Sequence, residues 1–215
     1  MKRLLVLRPE PGNQATVRGA REMGLEPVAC PLFGVEAIDW TAPDPRGFDY
    51  ILFTSANAPR HGGEALARVA VLPALAVGPA TADTARANGF NVTMTGVEGV
   101  DALLAALPGA QRLLHLTGAE HHPPTTRHVV ETVIVYSSVA LAAAVIPCGE
   151  LVALIHSPRA AARFAALVPD RARVSIAAIS APAAAACGPG WAAVAVADQP
   201  NDGALLAVAA RLCQD

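Results

Sequence analysis

Hydroxyl-bearing and small residues recur at particular points of this 215-residue chain, each time just after a short apolar run. Thr54-Ser55-Ala56-Asn57 follows Tyr50-Ile51-Leu52-Phe53, Gly78-Pro79-Ala80-Thr81 follows Leu75-Ala76-Val77, and Thr117-Gly118-Ala119 follows Arg112-Leu113-Leu114-His115-Leu116. Arg8-Pro9, His156-Ser157-Pro158-Arg159 and Ser180-Ala181-Pro182 stand in the same relation to apolar runs of their own. An apolar run closed in this way reads as a buried strand handing over to a helix. Such a junction exposes unpaired N–H groups at the positive end of the helix dipole, which suits a carboxylate or phosphate. Thr54, Ser55, Ser157 and Ser180 each also fit the plainer role of a helix N-cap. Their recurrence favours an anion site for the set. Arg8 and Arg159 fit equally well as partners of a carboxylate or as solvated rim charges.

Other reactive side chains form weaker patterns. Tyr136 is one of two tyrosines and lies in the β-forming run Thr132 to Ser138. It reads either as a strand aromatic packed on a face or as a phenol serving as hydrogen-bond donor and weak general acid. Four of the six histidines, His115, His121, His122 and His128, fall in one stretch. Pro123-Pro124 breaks any helix that would align them on a metal, so an exposed loop is expected there. Neither GxGxxG, GxxxxGK[ST] nor a Gly-x-Ser-x-Gly elbow occurs, and the acidic residues form no paired motif. The four cysteines, Cys30, Cys148, Cys187 and Cys213, lack CxxC spacing and read as reduced small hydrophobes.

The elements that would hold these residues alternate between strand and helix. Strands are expected at 3–7, 28–29, 50–53, 75–77, 92–94 and 112–116. Helices are expected from Asn13 to Met23, from near Asn57, from Ala80 to Asn88, and over 102–107 with Asp101 as cap. This order implies α/β architecture with parallel sheets and right-handed crossovers. A shift of 102 residues lays Ile51 to Ala58 on Ala153 to Ala160, Val77-Gly78 on Ile179-Ser180, and Asp101 to Ala105 on Gly203 to Ala207. Three segments sharing one offset read as an internal duplication. Phe33 to Trp40 and Thr132 to Ser138 read as extended. If they pair, residues 41–131 form an inserted α/β domain. Residues 1–32 and 139–215 then form a discontinuous second domain, and 33–40 with 132–138 form a two-stranded β linker. The junctions above would then converge on an interdomain cleft.

Composition bounds the function. Hydrophobic residues make up 53% and charged residues 16%, which fits buried sheets rather than a disordered chain. A net charge of −2 without a basic run, and 4% aromatics, argue against nucleic acid as a partner. Arg8-Pro9-Glu10 interrupts the apolar N-terminal stretch too early for a signal peptide, and the alanine-rich stretch 139–147 is too short to span a membrane. A cytoplasmic protein is therefore expected.

The segments Phe48 to Ala58, Val77 to Ala82, Val133 to Tyr136, Ile155 to Pro158 and Ala178 to Ser180 occur in an order that resembles the uroporphyrinogen-III synthase family from end to end. That resemblance implies two flavodoxin-like α/β domains joined by a β-ladder. It also implies a cofactor-free and metal-free hydro-lyase of tetrapyrrole and haem biosynthesis, expected to act as a monomer. The implied reaction closes hydroxymethylbilane to uroporphyrinogen III, inverting the last pyrrole through a spiro intermediate and losing water. Tyr136 would then assist the departing hydroxyl, and Thr81 matches a substrate-contacting threonine. Arg8, Thr54, Ser55, Asn57, Gly78, Gly118, Ser157 and Ser180 complete the expected substrate-binding set. The chain departs from the family pattern at Ala183, where a hydroxyl is expected, and in the short segment 118–129. The alternative is a catalytically degenerate homologue that binds a tetrapyrrole or another polyanion. A two-domain sensor of small anions is a more distant option.

Overall fold

The computed structural model describes residues 2–142 and 146–214. The alanine-rich stretch 139–147 lies partly outside them. Residue contacts divide the chain into two compact units, one formed by Met1–Gly34 with Ala140–Asp215 and the other by Val35–Val139.

The discontinuous unit is built on strands β1 (Arg3–Val6) and β2 (Pro27–Ala29). Its helix α1 (Gly12–Glu22) lies between them in sequence. The remaining strands of this sheet come from the C-terminal part of the chain and are numbered with the rest below. In the contiguous unit, β3 (Phe33–Ala37) begins the second sheet and β4 (Tyr50–Phe53) leads into α2 (Asn57–His61). Strand β5 (Ala74–Val77) leads into α3 (Pro79–Ala87), β6 (Val92–Gly96) into α4 (Val100–Ala105), and β7 (Arg112–Gly118) is followed by β8 (Val129–Ala140). The chain then supplies β9 (Leu151–Ile155), α5 (Pro158–Leu167), β10 (Val174–Ala178), α6 (Ala181–Ala185), β11 (Ala193–Val196) and α7 (Asp202–Gln214).

The first sheet has the order β11-β10-β9-β1-β2, and its pairings are parallel. The second has the order β3-β8-β7-β4-β5-β6, with parallel pairing from β8 to β6. The segments expected to form a separate ribbon are thus part of the second sheet, because β8 is also hydrogen-bonded along β7.

Strand alternation divides each sheet into two buried faces. Leu5 and Leu7 pack with Ala161 and Phe164 of α5, while Leu4 and Val6 pack with Val17 of α1 and Leu205 and Ala209 of α7. In the second sheet Ile51, Phe53, Leu114 and Leu116 pack with Ala58 and Ala85 on one face. Leu52, Leu75 and Leu113 meet Leu103 and Leu104 of α4 on the other. Phe53 meets Phe90 edge-on at 4.8 Å between ring centroids.

Local expectations shift in two places. Asp101 does not cap α4: Gly99 holds the cap position, and the Asp101 carboxylate accepts from the Thr125 backbone N–H at 3.2 Å. Helices α2 and α6 are only five residues long. Few peptide dipoles are aligned in them, so their N-termini attract an anion less than full-length helices would. Among the described residues, no helix is long and apolar enough to cross a membrane.

Candidate functional site

In a parallel sheet of this kind ligands lie outside the carboxyl ends of the strands, where the strand order reverses. In the second sheet that point falls between β7 and β4. Tyr136, Gly118, Thr54 and Gly78 stand on or just after β8, β7, β4 and β5, four neighbouring strands.

Tyr136 is seated by Gly118. The two are register partners across a β-bulge between β7 and β8. A Cβ on Gly118 would lie 2.6 Å from Cε2 and Cζ of the Tyr136 ring and 3.0 Å from its hydroxyl oxygen. The ring therefore lies across a stretch of β7 that only glycine leaves open. Tyr136 is half-buried, it packs against the core around Phe53 and Val135, and the His61 ring lies 6.5 Å away between centroids. Burial, followed by the charge of neighbouring Arg60, lowers the pKa of His61. The two roles expected of Tyr136, a packed strand aromatic and a phenol at the sheet edge, are compatible in this position.

Thr54 does not cap α2. Its Oγ1 lies 2.9 Å from Nε2 of His115 on the adjacent strand. Ser55 Oγ accepts the Asn57 N–H at 3.2 Å, and the Asn57 side-chain oxygen accepts from Arg60. Gly78 holds φ +85°, a conformation open to glycine, at the start of α3. Thr81 sits in the first turn of that helix and is only 6% exposed. It is more enclosed than the other hydroxyls of the set.

The histidine stretch is not a uniform exposed loop. His115 is buried in β7, where burial and then the nearby His121 charge hold its pKa down at about 4. His121 donates from Nδ1 to the Gly118 carbonyl at 3.1 Å, and its ring stands edge-on to His115 at 6.0 Å. His128 is buried between the Gln111 N–H and the Leu104 carbonyl, so it bolts β8 to the end of α4. His122 is exposed. Among the described residues no three His, Cys, Asp or Glu side chains come together as a metal site.

The first sheet reverses its order between β1 and β9. Arg8, just past β1, is neither a solvated rim charge nor an unpaired cation. Its Nη1 donates to both carboxylate oxygens of Asp202 at 2.9 and 3.0 Å, and its guanidinium lies over Gly12. Thr16 donates to Asp202, and His156 Nε2 lies 3.0 Å from the same carboxylate. Partial burial works to raise the Asp202 pKa, but the hydrogen bonds from His156 and Thr16 and the Arg8 charge prevail and bring it to about 2. Ser157 and Ser180 are N-caps, accepting from the Ala160 and Ala183 N–H groups at 3.2 and 3.4 Å. Asp202, Thr16 and His115 were not among the expected site residues. His115 left a signal in the sequence, a polar residue inside an otherwise apolar strand run. Asp202 lies 194 residues from Arg8 and left none. A concavity of about 390 Å³ lined by Ile146, Cys148, Leu151, Leu167 and Arg173 opens at the amino ends of β9 and β10, the wrong edge for this chemistry.

Comparison with known proteins adds independent findings. No curated protein matches the chain. Among solved structures, uroporphyrinogen-III synthetase from Helicobacter pylori is similar at a TM-score of 0.69 and 18% identity, covering 99% of this chain and 100% of that one. A mutant uroporphyrinogen III synthase from the extremely thermophilic bacterium Thermus thermophilus is similar at a TM-score of 0.53 and 16% identity, covering 100% and 99%. At these identities the likeness concerns the fold. The family model for uroporphyrinogen-III synthase HemD matches residues 14–207. The chain therefore belongs to the uroporphyrinogen-III synthase family, hydro-lyases of tetrapyrrole biosynthesis that close hydroxymethylbilane with inversion of its last pyrrole ring.

Proposed function

We propose that this reaction runs at the carboxyl edge of the second sheet, with Tyr136 beside the departing hydroxyl. The observation that carries the proposal is the seat of the Tyr136 ring on Gly118, next to the point where the strand order reverses. The electron-rich pyrrole expels the hydroxyl as its carbon–oxygen bond breaks, and the phenol donates a hydrogen bond to the leaving oxygen, which departs as water overall. What remains is largely a problem of position. The bilane must be folded so that the substituted carbon of its last ring attacks first and forms the spiro intermediate. Thr54, Ser55, Gly78 and Thr81 serve as neutral contacts for substrate carboxylates along the same edge. Ser157 and Ser180 are further neutral contacts at strand ends of the first sheet, and Arg8 is a charged one that Asp202 keeps in place. Neutral donors and backbone N–H groups suit a substrate with eight carboxylates, since the chain has a net charge of −2 and no basic cluster in its sequence.

The same reading includes two flavodoxin-like domains that arose by duplication and are joined through β3 and β8. Strand order supports it: β2-β1-β9-β10-β11 in one sheet runs parallel to β8-β7-β4-β5-β6 in the other when β9 is laid on β4. A monomer working in the cytoplasm, without nucleic acid, metal or cofactor, completes the proposal. Burial raises the pKa of Cys30, Cys187 and Cys213, as suits protonated thiols packed in the core.

Substrate titration of Thr54→Val tests the edge assignment. An increase in KM of about tenfold, equivalent to one hydrogen bond, is expected. An unchanged KM removes Thr54 from the site.

A further inference from the structure

The edge of the second sheet contains a buried histidine to which the reaction as described gives no task. His115 is 1% exposed. The register of β7 on β4 sets it opposite Leu52. Thr54, two residues further and on the same face, is its diagonal neighbour. Nε2 meets Thr54 Oγ1 at 2.9 Å, while Nδ1 is buried without a hydrogen-bond partner.

Two neutral tautomers fit that geometry, and they have opposite consequences for Thr54. With the proton on Nδ1, a buried N–H has no acceptor, and the Thr54 hydroxyl must donate to Nε2. With the proton on Nε2, the unpartnered group is only a lone pair, and Nε2–H donates to Thr54 Oγ1. The threonine proton then remains for another acceptor. Orphaned buried N–H groups are rarer in folded proteins than under-satisfied acceptors, which favours the second form. The imidazolium is not a competitor near neutral pH, because burial and the His121 charge hold His115 at about 4. His156 shows a related arrangement at the first sheet. Its Nε2 faces the Asp202 carboxylate, which can only accept, so that nitrogen carries the proton while Nδ1 is again buried and unpartnered.

We infer that His115 is a positioning residue for Thr54, donating from Nε2–H to Oγ1 so that the threonine hydroxyl proton is left for a carboxylate oxygen of the substrate. This rests on the proposal that the edge carrying Thr54 binds hydroxymethylbilane. It also explains how an edge built from neutral groups discriminates between acceptors and donors: the pair His115–Thr54 presents a hydrogen with fixed polarity, at no cost in buried charge.

Nitrogen NMR of the full chain labelled in histidine tests the tautomer directly, with His115→Gln identifying the resonance. The expected spectrum shows His115 protonated at Nε2, unprotonated at Nδ1, and not titrating between about pH 8 and pH 5.5. A proton on Nδ1, or titration in that range, overturns the inference. Kinetics with hydroxymethylbilane supply the functional arm. His115→Gln retains an N–H donor and is expected to keep KM within about threefold, whereas His115→Leu cannot donate and raises KM about tenfold with a smaller change in kcat. In the His115→Leu background, Thr54→Val is expected to add little. A full and independent effect of both changes overturns the coupling. If the leucine variant does not fold, the spectrum of the unsubstituted chain decides. Uroporphyrinogen III formed by a chain whose His115 is protonated at Nδ1 overturns this inference alone. Uroporphyrinogen I as the only product overturns the site reading beneath it.

Discussion

Tyr136 and Gly118 behave as one unit, because the ring occupies the space a Cβ on residue 118 would take. Tyr136→Phe retains the packed ring and removes only the hydroxyl. Turnover is expected to fall more than tenfold, a barrier increase above about 1.4 kcal/mol, with the thermal midpoint essentially unchanged. An unaltered rate takes the phenol out of the mechanism. Gly118→Ala reaches the same group from the other side. Its methyl would sit 2.6 Å from ring carbons, so ring or strand must shift, and turnover is expected to fall about tenfold or more while circular dichroism stays native. Wild-type turnover in the alanine variant means that the position of the ring is immaterial. Both residues were expected in the site from the sequence, but as separate contacts. That one seats the other depends on the register of β8 on β7, and a bulge shifts that register by an amount no residue pattern announces.

At the scale of elements, the β-strands were the most legible part. Runs such as Tyr50 to Phe53 are apolar on both faces because the sheet is covered on both faces. The helices that follow were less so. Asn57 and Ala181 each begin five residues of helix where a longer one was open, and Asp101 gave up the expected cap to Gly99. Serine and threonine at these junctions also divide by what lies across the sheet. Ser157 and Ser180 accept from their own helices, whereas Thr54 is drawn to a histidine 61 residues away. The turn from β5 into α3 gives a prediction at this scale. Gly78 holds φ +85° with open space where a Cβ would go, so Gly78→Ala incurs backbone strain without a clash. A loss of about 1–3 kcal/mol in denaturant-derived stability is expected. A neutral result shows that the turn readily adopts another conformation.

For the whole molecule, the same buried groups set the response of stability to pH. His115 has a folded pKa of about 4 against an ordinary 6.5, so the unfolded chain binds more protons between those values. Its neutral form is favoured above pH 6.5, and stability falls as pH drops from 6.5 towards 4, by roughly 3 kcal/mol at most. Asp202, held at about 2, acts lower on the scale. Its contribution is complete above its ordinary value of 3.8 and is lost as pH falls through about 2. Urea midpoints at about pH 7.5 and pH 4.5 are therefore expected to differ clearly in the unsubstituted chain and much less in His115→Gln. An equal difference in both assigns the acid sensitivity to other groups. The direction of ring closure is something only an ordered site can impose, since the bilane closes unaided to the unrearranged isomer. Incubating the chain with freshly made hydroxymethylbilane and separating the isomers is the direct measurement. Uroporphyrinogen III in excess is the predicted product, and uroporphyrinogen I alone would contradict the account.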